Sequence, residues 1–149
     1  MQIWVDADAC PGEIKEVLYR AAKRTQTKVT LVANQALRTP RSEFIDSIMV
    51  PSGMNVADRR IVELAEPGDL VITADIPLAA EVVAKGAQAL GPRGELYTEA
   101  NVGERLAVRN LFDELRGGGQ ITGGPSNFTA KDRQAFANQL DRWLTAAEK

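Results

Sequence analysis

Four aspartates carry the chemistry this chain can offer. Asp6 and Asp8 sit one residue apart in "VDADACP", Asp58 lies in "NVADRR", and Asp75 ends "DLVITAD". Each alone has an ordinary explanation. Asp58 near the third position of a helix is favoured by the helix dipole, Asp75 before Ile76-Pro77 reads as an N-cap, and Asp8 could satisfy free N–H groups ahead of the helix that begins at Pro11. Brought to one place they behave differently. Two carboxylates ~4 Å apart repel by on the order of 4 kcal/mol at an effective dielectric near 20. A cluster therefore needs shared protons or a cation.

The elements that must position these acids follow from periodicity and punctuation. Residues 2–5 read as a short apolar strand and 11–25 as a helix, with Ile14, Val17, Leu18 and Ala21 at helical spacing and Pro11 in a permitted first-turn position. "KVTLVAN" is a second strand ending at Asn34. "QALRTPRSEF", polar and containing Pro40, is a loop or broken helix, and "IDSIMVP" a third strand. "NVADRRIVELAEPG" is a helix with Asn55 as N-cap and Pro67-Gly68 as its stop. "DLVITAD" is a fourth strand apolar enough to be buried on both faces. "IPLAAEVVAKG" is a helix closed by Gly86, "AQAL" a fifth strand and "GELY" a candidate sixth. "VGERLAVRNLFDELR" reads as a long helix and "GGGQITGGPSNF" as a glycine-rich loop. "TAKDRQAFANQLDRWLTAAEK" is a closing helix with Thr129 as N-cap and Phe136, Leu140, Trp143 and Leu144 facing inward.

Strands alternating with helices at this spacing predict an α/β fold with a mostly parallel sheet of four to five strands. The reading is one domain over 1–149: a sheet core over about 1–98 and a helical part over about 99–149 packed on it. In open α/β sheets ligands bind beyond the carboxyl ends of the strands. That edge receives Asp6 and Asp8 from the first strand, Asn34 from the second, Ser52 and Asp58 from the third, and Asp75 from the fourth.

Composition narrows the chemistry. The 149 residues include no histidine and one cysteine. Ser-His-Asp and Cys-His catalysis, His-ligated metals, intrachain disulfides and Cys-rich zinc sites are thereby excluded. A metal held by oxygens alone points to magnesium or manganese, with phosphate esters as the matching substrates. A net charge of −2 and a pI near 5.3 argue against a general nucleic-acid coat protein, although 12 arginines against 6 lysines favour forked phosphate contacts. No apolar run approaches the ~20 residues of a membrane span, and Asp6 and Asp8 interrupt any signal-peptide pattern. The expected setting is cytoplasmic. Cys10 lies before a helix, where a thiol pKa could fall, but without a histidine to activate it the residue reads as a small packed side chain.

"VDADACP", "GxxxADxxI", "DLVITADIPLA", "KGAQALGPRGE", "ERLAVRNLFDELR" and "GGPSNFTAKDRQAFANQLDRWL" together resemble the YaiI/YqxD family of bacterial proteins over essentially the whole chain. That family is grouped by fold with PIN-like nuclease domains. The resemblance implies a three-layer α/β/α fold and acids holding one or two magnesium or manganese ions. By the same resemblance Asp6 is the first acid, Asp58 the third and Asp75 the fourth. The second comes from a helix in PIN nucleases, and Asp8, Glu13 or Glu16 are its candidates here. Family members often carry aspartate where this chain has Asn55, so the amide bears on whether a second metal binds.

The function expected is phosphodiester hydrolysis in nucleic acid, RNA before DNA. Asp6 and Asp75 would hold the metal, with Asp8 and Asp58 completing its shell. Arg93, Arg105, Arg109 and Arg116 are candidates for flanking phosphates, with pairing to Glu104 or Asp113 the competing explanation. Asn34, Ser52 and Asn55 are further substrate-side candidates. Two rivals are a haloacid-dehalogenase-like phosphatase built on the D-x-D motif and a non-catalytic PIN-like module that binds nucleic acid or protein. A homodimer is compatible with the sequence.

Overall fold

The computed structural model describes residues 1–53, 55–117 and 128–147, with the backbone alone at 9, 112–117 and 147. The glycine-rich stretch 118–127 and the side chain of Arg116 lie outside the described residues. Among the described residues six strands form one sheet: β1 (Ile3–Asp6), β2 (Val29–Ala33), β3 (Ile45–Met49), β4 (Leu70–Ile72), β5 (Gln88–Leu90) and β6 (Leu96–Tyr97). The helices among the described residues are α1 (Gly12–Thr25), α2 (Val56–Leu64), α3 (Ile76–Ala84), α4 (Val102–Gly117) and α5 (Ala130–Ala147), with a 3-10 turn over Ala7–Ala9.

The strand order is β3-β2-β1-β4-β5-β6. β1 to β5 are parallel and β6 is antiparallel to β5. β6 is the "GELY" segment, two residues long because the turn over 91–95 returns it directly along β5. The chain lays β2 and β3 on one side of β1, then crosses back to place β4 on the other. The winding direction reverses between β1 and β4, and such a switch point opens a crevice at the carboxyl ends of the strands.

Side-chain alternation along β1 decides which layer each residue meets. Ile3 and Val5 enter a core with Ile14, Leu18 and Ala22 of α1 and Phe136 and Leu140 of α5. Trp4 faces the opposite core, with Ile61 of α2 and Leu78, Ala79 and Val82 of α3. Two helical layers therefore sandwich the sheet. Asp6 shares the parity of Trp4, so it is directed at the layer that carries Asp58 and Asp75. The apolar strands β2 and β4 are buried along their whole lengths, as expected for parallel strands covered on both faces.

At the opposite end of the sheet a second buried acid closes the structure. Asp69, just before β4, is 3% exposed. Its carboxylate accepts from the indole N–H of Trp4 at 2.9 Å and from the backbone N–H groups of Gln2 at 3.1 Å and Glu66 at 3.0 Å. One carboxylate thus ties the starts of β1 and β4 to the beginning of the loop after α2, and satisfies a buried tryptophan donor. Asp69→Ala strands these donors, and an unsatisfied buried donor costs about 1–3 kcal/mol. The expected loss in urea unfolding is about 3 kcal/mol, reduced when Trp4→Phe removes the buried indole donor as well. A change within 0.5 kcal/mol would show that the contact carries no weight.

Candidate active site

The switch point is built around the hydroxyl of Thr73, one residue beyond β4. Thr73 Oγ1 donates to Asp6 Oδ2 at 3.0 Å and accepts from the backbone N–H of Asp75 at 3.0 Å. Thr73 is 2% exposed and Asp6 7%. Asp75 in turn caps α3, its Oδ1 accepting from the Leu78 N–H at 3.1 Å, with Pro77 in the first turn. The capping explanation for Asp75 is therefore correct, and it uses only one carboxylate oxygen. The other acids meet it there.

Asp58, in the first turn of α2, is in hydrogen-bonding reach of Asp75. Burial first, then the charges of Asp6 and Asp75, that hydrogen bond and the charge of Glu81 push its carboxyl up from 3.8 to about 6. The helix dipole, worth at most about 1 kcal/mol at an exposed terminus, favours the ionised form and is outweighed. Asp6 is also raised: burial raises it most, the Thr73 hydroxyl opposes, and the charges of Asp75 and Asp8 add to the rise. The charges of Asp6 and Asp75 thus oppose ionisation of Asp58, and those of Asp75 and Asp8 oppose ionisation of Asp6.

A cavity of about 330 Å³ opens over the pair, lined by Asp58, Asp75, Asn55, Glu81, Arg59 and Arg109 with Pro77 and Leu78. Arg109 of α4 is the candidate phosphate ligand that the fold delivers here. Arg105, four residues earlier, instead reaches Glu95 at 3.5 Å, and Arg93 pairs with Asp132 at 3.1 Å. Asn55 takes the N-cap position of α2 in a left-handed conformation, φ 63°, which asparagine tolerates better than most residues. Its side chain makes no cap hydrogen bond, contrary to the capping role expected of it, and lines the cavity.

The remaining candidates lie elsewhere. Asp8 is exposed, and its Oδ2 accepts from the Asn34 N–H at 3.0 Å, linking the ends of β1 and β2 rather than capping α1. Asn34 and Ser52 are exposed and outside the cavity lining. Glu13 and Glu16 belong to α1, which packs with the Ile3 and Val5 face. Cys10 packs against that core, and burial pushes its thiol up to about 12, opposite to activation. Among the described residues no group of three or more acidic or thiol side chains could hold a metal ion by itself. An Asp58–Asp75 pair completed by water is still a fitting donor set for magnesium, which binds through one or two carboxylates plus waters.

Sequence reasoning missed Thr73, Arg59 and Glu81. The signal for Glu81 was present: Asp75, Leu78 and Glu81 recur every three residues and share one side of α3. Thr73 and Arg59 carried no such pattern: Thr73 meets Asp6 because β1 pairs with β4, and Arg59 reaches the cavity through the docking of α2 on the sheet.

The fold and site define an α/β protein with opposed carboxyls at the switch point of a mostly parallel sheet. Its family is clear: residues 4–146 match the model of the uncharacterised BCR, YaiI/YqxD family, and the chain belongs to it. It is 63% identical to a UPF0178 protein of Shewanella amazonensis over 149 residues, 100% of both chains. A UPF0178 protein of Dechloromonas aromatica is 62% identical over 144 residues, 97% of this chain and 96% of the relative. Another, from Pectobacterium carotovorum subsp. carotovorum, is 61% identical over 149 residues, 100% of this chain and 99% of the relative. No solved structure matches the chain. No helix among the described residues is long and apolar enough to cross a membrane.

The raised Asp58 has a pH signature. An acid with a raised folded-state pKa binds its proton more tightly folded than unfolded, so ionising it subtracts stability. The loss begins near 3.8 and is complete above about 6. Without divalent metal, Asp58→Asn should gain on wild type across that interval and exceed it at pH 7 by on the order of 1 kcal/mol, after allowance for solvent screening. Urea unfolding of both proteins from pH 4 to 7.5 reads the difference. A gap that stays constant with pH would remove Asp58 as the perturbed acid.

Proposed function

We propose that the protein is a metal-dependent nuclease of the PIN-like kind, hydrolysing phosphodiesters in nucleic acid, with RNA the first substrate to test. One observation carries the reading: the opposed Asp58–Asp75 pair lines the same cavity as Arg59 and Arg109. Acids alone would repel a phosphate and arginines alone would merely bind one. Together they form a site for a cation and an anion side by side.

In this reading Asp58 and Asp75 hold the ion, and Asp6, fixed by Thr73, adds negative charge from behind. Magnesium or manganese, when bound, supplies Lewis-acid activation of water and neutralises charge building on the phosphate. Arg59 and Arg109 hold the phosphodiester, for which a guanidinium fork is better shaped than an ammonium. They also provide local positive charge that the net −2 of the chain conceals. Glu81 takes the place of the helix-borne second acid of the PIN pattern, ahead of Asp8, Glu13 or Glu16, because it faces the pair. The Asn55 carboxamide offers an uncharged oxygen and a donor, which suits orienting a substrate oxygen and favours one ion over two.

Labelled single-stranded RNA and DNA incubated with manganese or magnesium test the proposal. Wild type should cleave. Asp75→Asn and Asp6→Asn should each lose at least about 100-fold in kcat, and Arg109→Ala should raise KM by about ten-fold, the scale of one charge-assisted hydrogen bond. Cleavage that survives both aspartate changes, or calorimetry without manganese binding at millimolar concentration, would overturn the nuclease. An aspartyl-phosphate formed on Asp6 from a phosphomonoester, with turnover blocked by its mimic fluoroberyllate, would assign a phosphatase instead.

A further inference from the structure

A second cavity, of about 420 Å³, borders the loop that follows β4. Its lining includes Ala74, the residue between Thr73 and Asp75, so the two cavities share one turn of chain. Consecutive Cα atoms are about 3.8 Å apart, so at Ala74 and Asp75 the wall of the second cavity adjoins that of the first. Flat apolar walls come from Pro11, Pro92, Phe128 and Tyr97, and its polar groups from Arg93 and Glu95.

The cavity is held in shape from several directions. Tyr97 is 3% exposed, and its hydroxyl donates to Glu95 Oε2 at 2.8 Å. Arg93 is pinned by Asp132 Oδ2 at 3.1 Å. That same oxygen accepts from the Thr129 N–H at 3.0 Å while Thr129 Oγ1 accepts from the Asp132 N–H at 3.2 Å, a reciprocal cap at the start of α5. Gly94 adopts φ +92°, and a Cβ there would lie 2.7 Å from the Ala135 Cβ. Only glycine lets the 91–95 turn press this closely on α5. The guanidinium and carboxylate are thus set in place before any ligand arrives.

We propose that this cavity is a nucleobase subsite, receiving an unpaired base of the strand whose phosphate lies at Asp58 and Asp75. The inference rests on the nuclease reading and deepens it to single-stranded substrate. Planar, heteroaromatic bases carry hydrogen-bond donors and acceptors on one edge and stack on aromatic or guanidinium faces. Flat walls with one fixed donor group and one fixed acceptor group match that chemistry. A paired base cannot enter, because its face and edge are already occupied in the duplex.

The test separates base recognition from cleavage. Calorimetry on the full metal-free chain compares adenosine 5′-monophosphate with ribose 5-phosphate, which shares the phosphate and sugar. The nucleotide should bind about ten-fold more tightly, and Phe128→Ala should remove the difference while Phe128→Tyr restores it, with circular dichroism checking the fold of each. Equal affinities in wild type, or a preference that Phe128→Ala leaves intact, would overturn the subsite. Cleavage dependent on Asp75 alongside equal affinities leaves the nuclease standing and this inference fallen. A base preference retained by Asp75→Asn in a protein that never cleaves leaves the subsite standing and the nuclease fallen.

Discussion

The Thr73 hydroxyl is the contact on which the carboxyl edge of the sheet depends. It donates to Asp6 and accepts from the Asp75 N–H, so one buried oxygen fixes the end of β1 against the start of α3. A hydroxyl that donates to a carboxylate favours its ionised form, and this one opposes the cost of burying Asp6. The compensation is partial, since Asp6 remains raised. What it secures is position: an acid that would otherwise turn to water is kept behind the Asp58–Asp75 pair. The neighbouring strand order explains why the contact is available at all, because only at the switch point do β1 and β4 lie side by side with their connections leaving in opposite directions.

The two ends of that strand pair show one device used for opposite purposes. Asp69, at the amino end, is surrounded by three donors and serves packing. Asp6, at the carboxyl end, has one hydrogen-bond donor among the described residues, Thr73, and two like-charged neighbours. Both are buried carboxylates on the same two strands, so burial alone does not mark a functional acid. The distinguishing quantity is how far the surrounding donors meet the charge, and only the second acid is left in deficit.

Much of this was legible in residue patterns, and the limits have physical causes. Alternating strands and helices, the Pro67-Gly68 stop and the Thr129 cap are local signals, set by backbone chemistry within a few residues. They gave the mostly parallel sheet and placed Asp6, Asp58 and Asp75 at one edge. Asp8 shows where such reasoning ends. Two residues past Asp6 it should share that residue's direction in a strand, but the chain tightens into a 3-10 turn at Ala7–Ala9 and alternation stops applying. Its carboxylate then meets β2 through Asn34. Asp69 was overlooked for the converse reason: its partners include Gln2 and Trp4, sixty-odd positions away, and no local pattern announces them.

The arginines extend the same lesson from geometry to charge. Arg105 and Arg109 are four residues apart on α4, a spacing that puts both on neighbouring turns and made them equivalent in sequence. Packing separates them: Arg105 reaches Glu95 of the β5–β6 turn, while Arg109 stands at the cavity with Asp58 and Asp75. Arg93 is committed to Asp132, and through it to the start of α5. An acidic chain can therefore present an anion site without a basic surface, since what a phosphate meets is the potential within a few ångströms rather than the net charge. Placing cations on α2 and α4, around acids from the sheet edge, makes the site depend on both helices docking on the sheet. Charge of each sign is brought together only in the folded chain, where each offsets the repulsion the other would suffer alone.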